Sequence, residues 1–297
     1  MDSERIPVLF DTDIGSDIDD ALALAYLLCE PRCELLGVTT VTGEPDRRAE
    51  MVSTVCRHVG RDEIPIHVGI SEPLLIPQGQ PRAPQAAALG ARPRAAFGAE
   101  PTAVEFLRRT IRARPGQIAL LAVGPLTNVA ALFAADPEIP SLLRSLVLMG
   151  GRFFTAMGGE WNAICDPHAT AIVYGGGPQR RPPLHVSYGL DVTTQCRMSA
   201  DECRSRFTAR VLEPVREFAE VWFERHPWVT FHDPLAAVGL FEPEICGYRD
   251  GEVTVSLTPP TAGWTVLRRA ADGAGAHRVA ETVNVGRFFE RYFGALR

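Results

Sequence analysis

The chain has 297 residues, 46% of them apolar, a mean hydropathy of +0.01 and a formal charge of −6, so it has ample material for a buried core and no excess of positive charge. That balance excludes a surface built to track a nucleic-acid backbone, which needs a basic patch or stripe, and points instead to small-molecule chemistry. All thirty basic residues are arginine, which removes Schiff-base chemistry, lysine-anchored pyridoxal phosphate and the phosphate-binding lysine of a P-loop.

Apolar runs of strand length alternate with helical patterns through the first two thirds of the chain. A strand over 7–11, "PVLFD", precedes a helix from Asp19 to Glu30; "ELLGVTTV" (34–41) gives a second strand and 46–60 a second helix. "IPIHVG" (64–69) follows, then a Pro-, Ala- and Gly-rich excursion over 70–100 with little periodicity, read as an active-site flap. A helix over 102–113, a strand at 117–123, a helix from Leu126, and strands at 145–151, 183–190, 251–257 and 277–285 complete the series, closed by the helix "GRFFERYFGAL". Strands rich in Val, Ile and Leu with helices between them predict an α/β fold: one domain over 1–297 on a mostly parallel, mixed sheet covered by helices on both faces.

The opening "MDSERIPVLF" lacks a basic segment followed by a long apolar one, and no stretch runs for about eighteen apolar residues, so the expectation is a cytoplasmic protein with no membrane partner. Seven scattered cysteines read as free thiols in a reducing compartment, and the Cys29–Cys33 pair has no second pair or spaced histidine to complete a zinc site.

The chemistry concentrates in "VLFDTDIGSDIDDALALAYLL" (8–28), where Asp11, Asp13, Asp17, Asp19 and Asp20 fall between a strand and a helix. Ligands of open α/β sheets bind outside the carboxyl ends of the strands, where this cluster lies, and "AVGPLTN" (122–128), "GLDVTTQ" (189–195) and Asp233 should share that rim. Ser16 or Asp17 reads as a helix N-cap, but a macrodipole of about half a charge cannot absorb five carboxylates. A hard divalent cation held by oxygen ligands can. The spacing is not that of an EF-hand, which needs Gly where Ser16 stands and Glu where Leu22 stands. A haloacid-dehalogenase-like Mg2+ phosphatase, with Asp11 as nucleophile and Asp13 as acid/base, is an alternative, but it normally uses a lysine that this chain lacks.

The cluster resembles the N-terminal signature of the inosine-uridine-preferring nucleoside hydrolase family, Asp-x-Asp-Pro-Gly-x-Asp-Asp-Ala. Further matches follow in order: "ELLGVTTVTG" (34–43), "LLAVGPLTNVA" (120–130), "SLVLMGG" (145–151), "EWNAICDPHAT" (160–170), "GLDVT" (189–193) and "FHDPLAA" (231–237). The resemblance implies a Rossmann-like fold and Ca2+-dependent hydrolysis of the N-glycosidic bond of ribonucleosides, in a homodimer or homotetramer. It implies that Asp13, Asp20 and Asp233 ligate the ion together with the backbone carbonyl of Val123. Asp19 then holds a ribose hydroxyl, and Glu160 and Asn162 position the sugar, with Glu44 and Asp233 also on the substrate. Asp13 is the natural general base, and His232, with an imidazole pKa of about 6.5, a proton donor to the leaving base. A metal-stabilised binding protein without activity is the alternative of another class.

Four departures from the family pattern stand out. Two extra residues separate the Gly15 turn from Asp19 and Asp20, leaving the ligand assignment among Asp17, Asp19 and Asp20 open; Glu44 stands where many members carry Asn. The 151–160 loop is short, and the flap lacks a histidine motif. Asp166 and Asp191 read as acids bracing rim loops, and the six histidines other than His232 as surface or core residues.

Overall fold

The computed structural model describes residues 5–155, 158–175, 181–269 and 276–297. Nine strands form one sheet: β1 (Ile6–Thr12), β2 (Cys33–Thr40), β3 (Ile66–His67), β4 (Ala119–Ala122), β5 (Ser145–Met149), β6 (His185–Tyr188), β9 (Cys246–Val255), β10 (Thr265–Arg268) and β11 (His277–Val283). The remaining two, β7 (Arg197–Ser199) and β8 (Trp228–Thr230), pair as a small antiparallel ribbon. The large sheet runs β10-β9-β11-β6-β5-β4-β1-β2-β3. Every pairing from β11 to β3 is parallel, whereas β9 is antiparallel to both β11 and β10, so the sheet is mixed and mostly parallel as its strands' composition predicts.

Alternation along each strand builds two cores. Val8, Phe10, Leu121, Val147 and Tyr188 face one side, where they meet the helices Asp19–Cys29, His232–Phe241 and Val285–Ala295. Leu9, Leu120, Leu146 and Val279 face the other and meet the helices Ala103–Ala113, Thr127–Ala135 and Pro167–Tyr174. Burial on both faces is what makes the strands read as continuous apolar runs rather than alternating ones.

Strand order then fixes where a ligand can sit. From β1 the chain lays β2 and β3 outward on one side, returns, and places β4, β5 and β6 on the other. The crevice outside the carboxyl ends of β1 and β4 is therefore the topological switch point of the sheet. The aspartate cluster follows β1 directly and the 122–128 turn follows β4.

The structure departs from the sequence reading where local signals are weak. β9 begins at Cys246, ahead of the expected 251, because "CGYRDG" carries glycines and charges that pair across a half-exposed antiparallel edge. β10 and the helices Trp161–Cys165, Ala200–Arg206 and Glu213–Phe223 have no counterpart in that reading. Within 70–100 the regular element is one 3-10 turn, Pro84–Leu89. The N-cap of the first helix is Ile18, with no side-chain cap, rather than Ser16 or Asp17; Asp17 instead accepts the Ile18 N–H at 2.6 Å. All seven cysteines are free, and no helix among the described residues is long and apolar enough to cross a membrane.

Candidate active site

A cavity of about 480 Å³ opens at the switch point, lined by the acids Asp13, Asp17, Asp19, Asp20 and Asp233 and also by Trp161, Trp222, His232, Leu190 and Ile164. Asp19 and Asp20 sit in the first turn of the helix Asp19–Cys29, and Asp233 in the first turn of His232–Phe241. These helices pack against each other over β1, which brings their N-terminal acids together, and Asp19 Oδ2 accepts the Asp233 N–H at 3.0 Å. Carboxylate oxygens of Asp19, Asp20 and Asp233 all lie within 4.8 Å of one another. Thr12 donates from the end of β1 to Asp20 Oδ1.

Asp13 stands beside this trio rather than in it. Its Oδ2 accepts from the Gln80 amide, and its Oδ1 lies against Gly124, where a Cβ would come within 2.7 Å of it. The turn after β4 needs glycine there for that close approach. All four acids are almost wholly buried. Burial pushes the pKa values of Asp13, Asp19, Asp20 and Asp233 upward, and neighbouring carboxylates push Asp19, Asp20 and Asp233 further. Asp17, half-buried beside them, rises to about 7 because its surroundings desolvate it. So many adjacent carboxyl groups cannot all ionise without a compensating cation, and oxygen donors at this spacing suit a hard divalent ion.

The other expected site residues divide. His232 lines the cavity, but burial lowers its pKa to about 4 instead of leaving it near the ordinary imidazole value. Its Nδ1 meets Thr193 Oγ1 at 2.7 Å, which leaves Nε2 for the cavity. The Val123 carbonyl accepts from Asn162 Nδ2 at 2.6 Å, so Asn162 braces the rim at the carbonyl assigned to the ion. Glu160 also lines the cavity, yet its two oxygens accept from the backbone N–H groups of Asn162, Ala163 and Gly151, at 2.7, 3.0 and 3.1 Å, capping the helix that carries Trp161. Glu44 does not line the cavity: in a left-handed conformation (φ 53°) it turns toward the flap and accepts from Ala83 N at 2.9 Å and Arg82 at 3.2 Å. Asp166 accepts from Thr127 Oγ1, Ala169 N and Leu74 N, and Asp191 from Phe153 N and Phe154 N, so both tie rim loops together. Asp11, the nucleophile of the phosphatase alternative, is fully buried behind the cavity on Thr39 and Asn128, beyond the reach of any substrate.

Two residues that the sequence reading passed over complete the site. Gln80 comes from the aperiodic 70–100 segment, where no local pattern marks it. Arg48, read only as part of a helix, is fully buried: its guanidinium donates to the carbonyls of Asp13, Ile14, Gly43 and Arg82 and to Ser16 Oγ. It clamps the extended Gly15–Asp17 loop to the strand β2 side and to the flap.

Fold and site together define an α/β enzyme with an acidic, cation-suited pocket at its switch point. The family described as inosine-uridine preferring nucleoside hydrolase matches residues 8–290. A pyrimidine-specific ribonucleoside hydrolase of Citrobacter koseri is 32% identical over 262 residues, 81% of this chain and 80% of the relative. Uridine nucleosidase 1 of Arabidopsis thaliana is 28% identical over 280 residues, 88% and 81% of the two chains. Among solved structures, a purine-preferring ribonucleoside hydrolase from Gardnerella vaginalis superposes with a TM-score of 0.84 over 98% of each chain at 23% identity. The chain belongs to the inosine-uridine-preferring nucleoside hydrolase family, metal-dependent hydrolases that act on the N-glycosyl bond of ribonucleosides.

A carboxyl group whose pKa is higher folded than unfolded binds more protons in the native state, so its contribution to stability falls as pH rises through the folded pKa. With Asp11 and Asp17 at about 7 and the ordinary value 3.8, metal-free protein should melt at a lower temperature at pH 8 than at pH 5. An added divalent cation should raise the melting temperature most at the higher pH, and a chelator should reverse the gain. Arg48→Met should lower stability by about 3 kcal/mol, the order expected when a buried hydrogen-bonded cation is removed from its partners; chemical denaturation reads this directly.

Proposed function

We propose that the chain is a Ca2+-dependent ribonucleoside hydrolase with Asp13 as its general base. The observation that carries this reading is that Asp13 and the mutually close acids Asp19, Asp20 and Asp233 line one cavity together with Trp161, Trp222 and His232. Asp13, Asp20, Asp233 and the Val123 carbonyl are assigned to the ion and Asp19 to a ribose hydroxyl beside it; Ca2+ in that place would supply positive charge for the sugar diol and for a water. The names of the Citrobacter and Arabidopsis relatives support uridine as the first substrate to assay. The family's usual assembly supports a homodimer or homotetramer.

Asp13 takes a proton from the water whose oxygen forms a bond to C1′, and the C1′–N bond breaks with its electron pair passing to the base. The sugar becomes cationic in the transition state, and the surrounding carboxylates favour that charge. Beside the departing base, His232, kept neutral by its lowered pKa, offers an N–H from Nε2 to the accumulating negative charge. Asn162 and Glu160 hold the rim that shapes the sugar site.

Uridine should release ribose in the presence of Ca2+ and cease to do so with excess chelator. Release indifferent to chelator would contradict the reading, and no release from any ribonucleoside would favour the inactive binding protein. Asp13→Asn should lower kcat by more than 10³-fold, and a loss smaller than about tenfold, roughly 1.4 kcal/mol of barrier, would remove Asp13 as the base. His232→Ala should slow uridine by about 10²-fold or more while sparing p-nitrophenyl riboside, whose leaving group needs no proton. Equal losses on both substrates would make His232 a brace for the helix start.

A further inference from the structure

Gln80 joins three elements that are distant in sequence. Its side-chain oxygen accepts from the Trp161 indole N–H, and its side-chain nitrogen donates to Asp13 Oδ2. The residue is 8% exposed, lines the cavity, and has its own N–H held at 2.8 Å by Gln78 Oε1, which also accepts from Thr42 Oγ1 at 3.2 Å. Gly43 leaves room for the backbone here, since a Cβ there would come within 2.5 Å of the Gln80 carbonyl oxygen.

The orientation of the amide follows from its neighbours. An indole offers only a donor and an ionised carboxylate only acceptors. With the amide reversed, its NH2 would face the indole N–H and its oxygen the carboxylate, two repulsive contacts in place of two hydrogen bonds. Trp161 therefore selects one of the two amide orientations, and that orientation presents a donor to Asp13. We propose that Gln80 is a positioning residue, oriented by Trp161, which fixes the Asp13 carboxylate by holding its Oδ2 and so ties the flap segment to the site. This rests on Asp13 serving in the hydrolase reading above. Gln80 moves no proton and, in this role, has no need to touch the substrate.

The test uses two readouts on full-length wild type, Gln80→Ala, Trp161→Phe and the double variant: Ca2+ affinity by calorimetry and steady-state hydrolysis of uridine. Gln80→Ala should weaken Ca2+ binding about 3–10-fold and lower kcat about 10–100-fold with KM within about threefold, the pattern of a group that matters in the transition state more than for ground-state binding. Trp161→Phe, which keeps a ring but removes the N–H, should weaken Ca2+ binding in the same direction by less. The double variant should bind Ca2+ no more weakly than Gln80→Ala alone, because residues acting through one contact do not add. Gln80→Glu, which fills the same space without the donor, should reproduce the loss in kcat and keeps the test open if the alanine variant does not fold. Multiplying losses in the double variant, wild-type Ca2+ affinity in Gln80→Ala, or a change confined to KM would overturn the assignment. Wild type that binds Ca2+ but releases no ribose would remove the hydrolase reading while the calcium comparison still judges the link between Gln80 and Asp13.

Discussion

Carboxylates buried side by side repel one another, and the architecture around β1 depends on how that repulsion is balanced. Asp13, Asp19, Asp20 and Asp233 lie together with little exposure to water, a placement that destabilises a fold unless protons or a cation offset it. Local devices accept part of the load. Thr12 and Gln80 donate to Asp20 and Asp13, the Asp233 N–H donates to Asp19, and two helix N-termini point their positive ends at the cluster. Arg48 adds a buried positive charge whose hydrogen bonds go to backbone carbonyls and a hydroxyl rather than to a carboxylate. None of these supplies the charge that a divalent cation would, and the pocket keeps the acids facing one another.

The sheet makes this arrangement attainable. A parallel strand order that reverses at β1 opens a crevice at the strand carboxyl ends, and the two helices that flank it deliver their first-turn acids from positions more than 200 residues apart in the chain. The long apolar strands hold the floor rigid on both faces. The polar work is left to loops and helix starts, and Arg48 gathers the loop between β1 and the first helix against the helix Pro45–His58 by donating to the Ile14 carbonyl and Ser16 Oγ.

Much of this was legible in the sequence because it is local. The run 8–28 carries the strand, the acids and the helix in one stretch, and the helix begins at Asp19 as its pattern predicts. The rim segments after β4 and around Asp233 follow from the rule that ligands gather at strand carboxyl ends. What stayed hidden is long-range. Gln80 meets Asp13 across 67 positions and Trp161 across 81, and neither contact leaves a mark in the Pro- and Ala-rich segment around it. Arg48 looks in sequence like any charged helix residue, and only the packing of the loop above it makes it buried. The expected substrate contact of Glu44 gave way to a flap contact because the left-handed turn at that position directs its carboxylate to Ala83. The ordinary imidazole behaviour expected of His232 failed for a similar reason, since burial is a property of the assembled pocket.

The claim on which all of this turns is that the buried acids are a cation site whose protons leave when the ion enters. Calcium titration near pH 7 in two buffers of different ionisation enthalpy measures both events at once, because binding to protonated ligands releases protons that the buffer takes up. The account predicts saturable binding of about one ion per chain accompanied by net proton release that shrinks as pH is raised, in keeping with the raised pKa values of the cluster. Binding with no buffer dependence at pH 7, or no saturable binding, would contradict it.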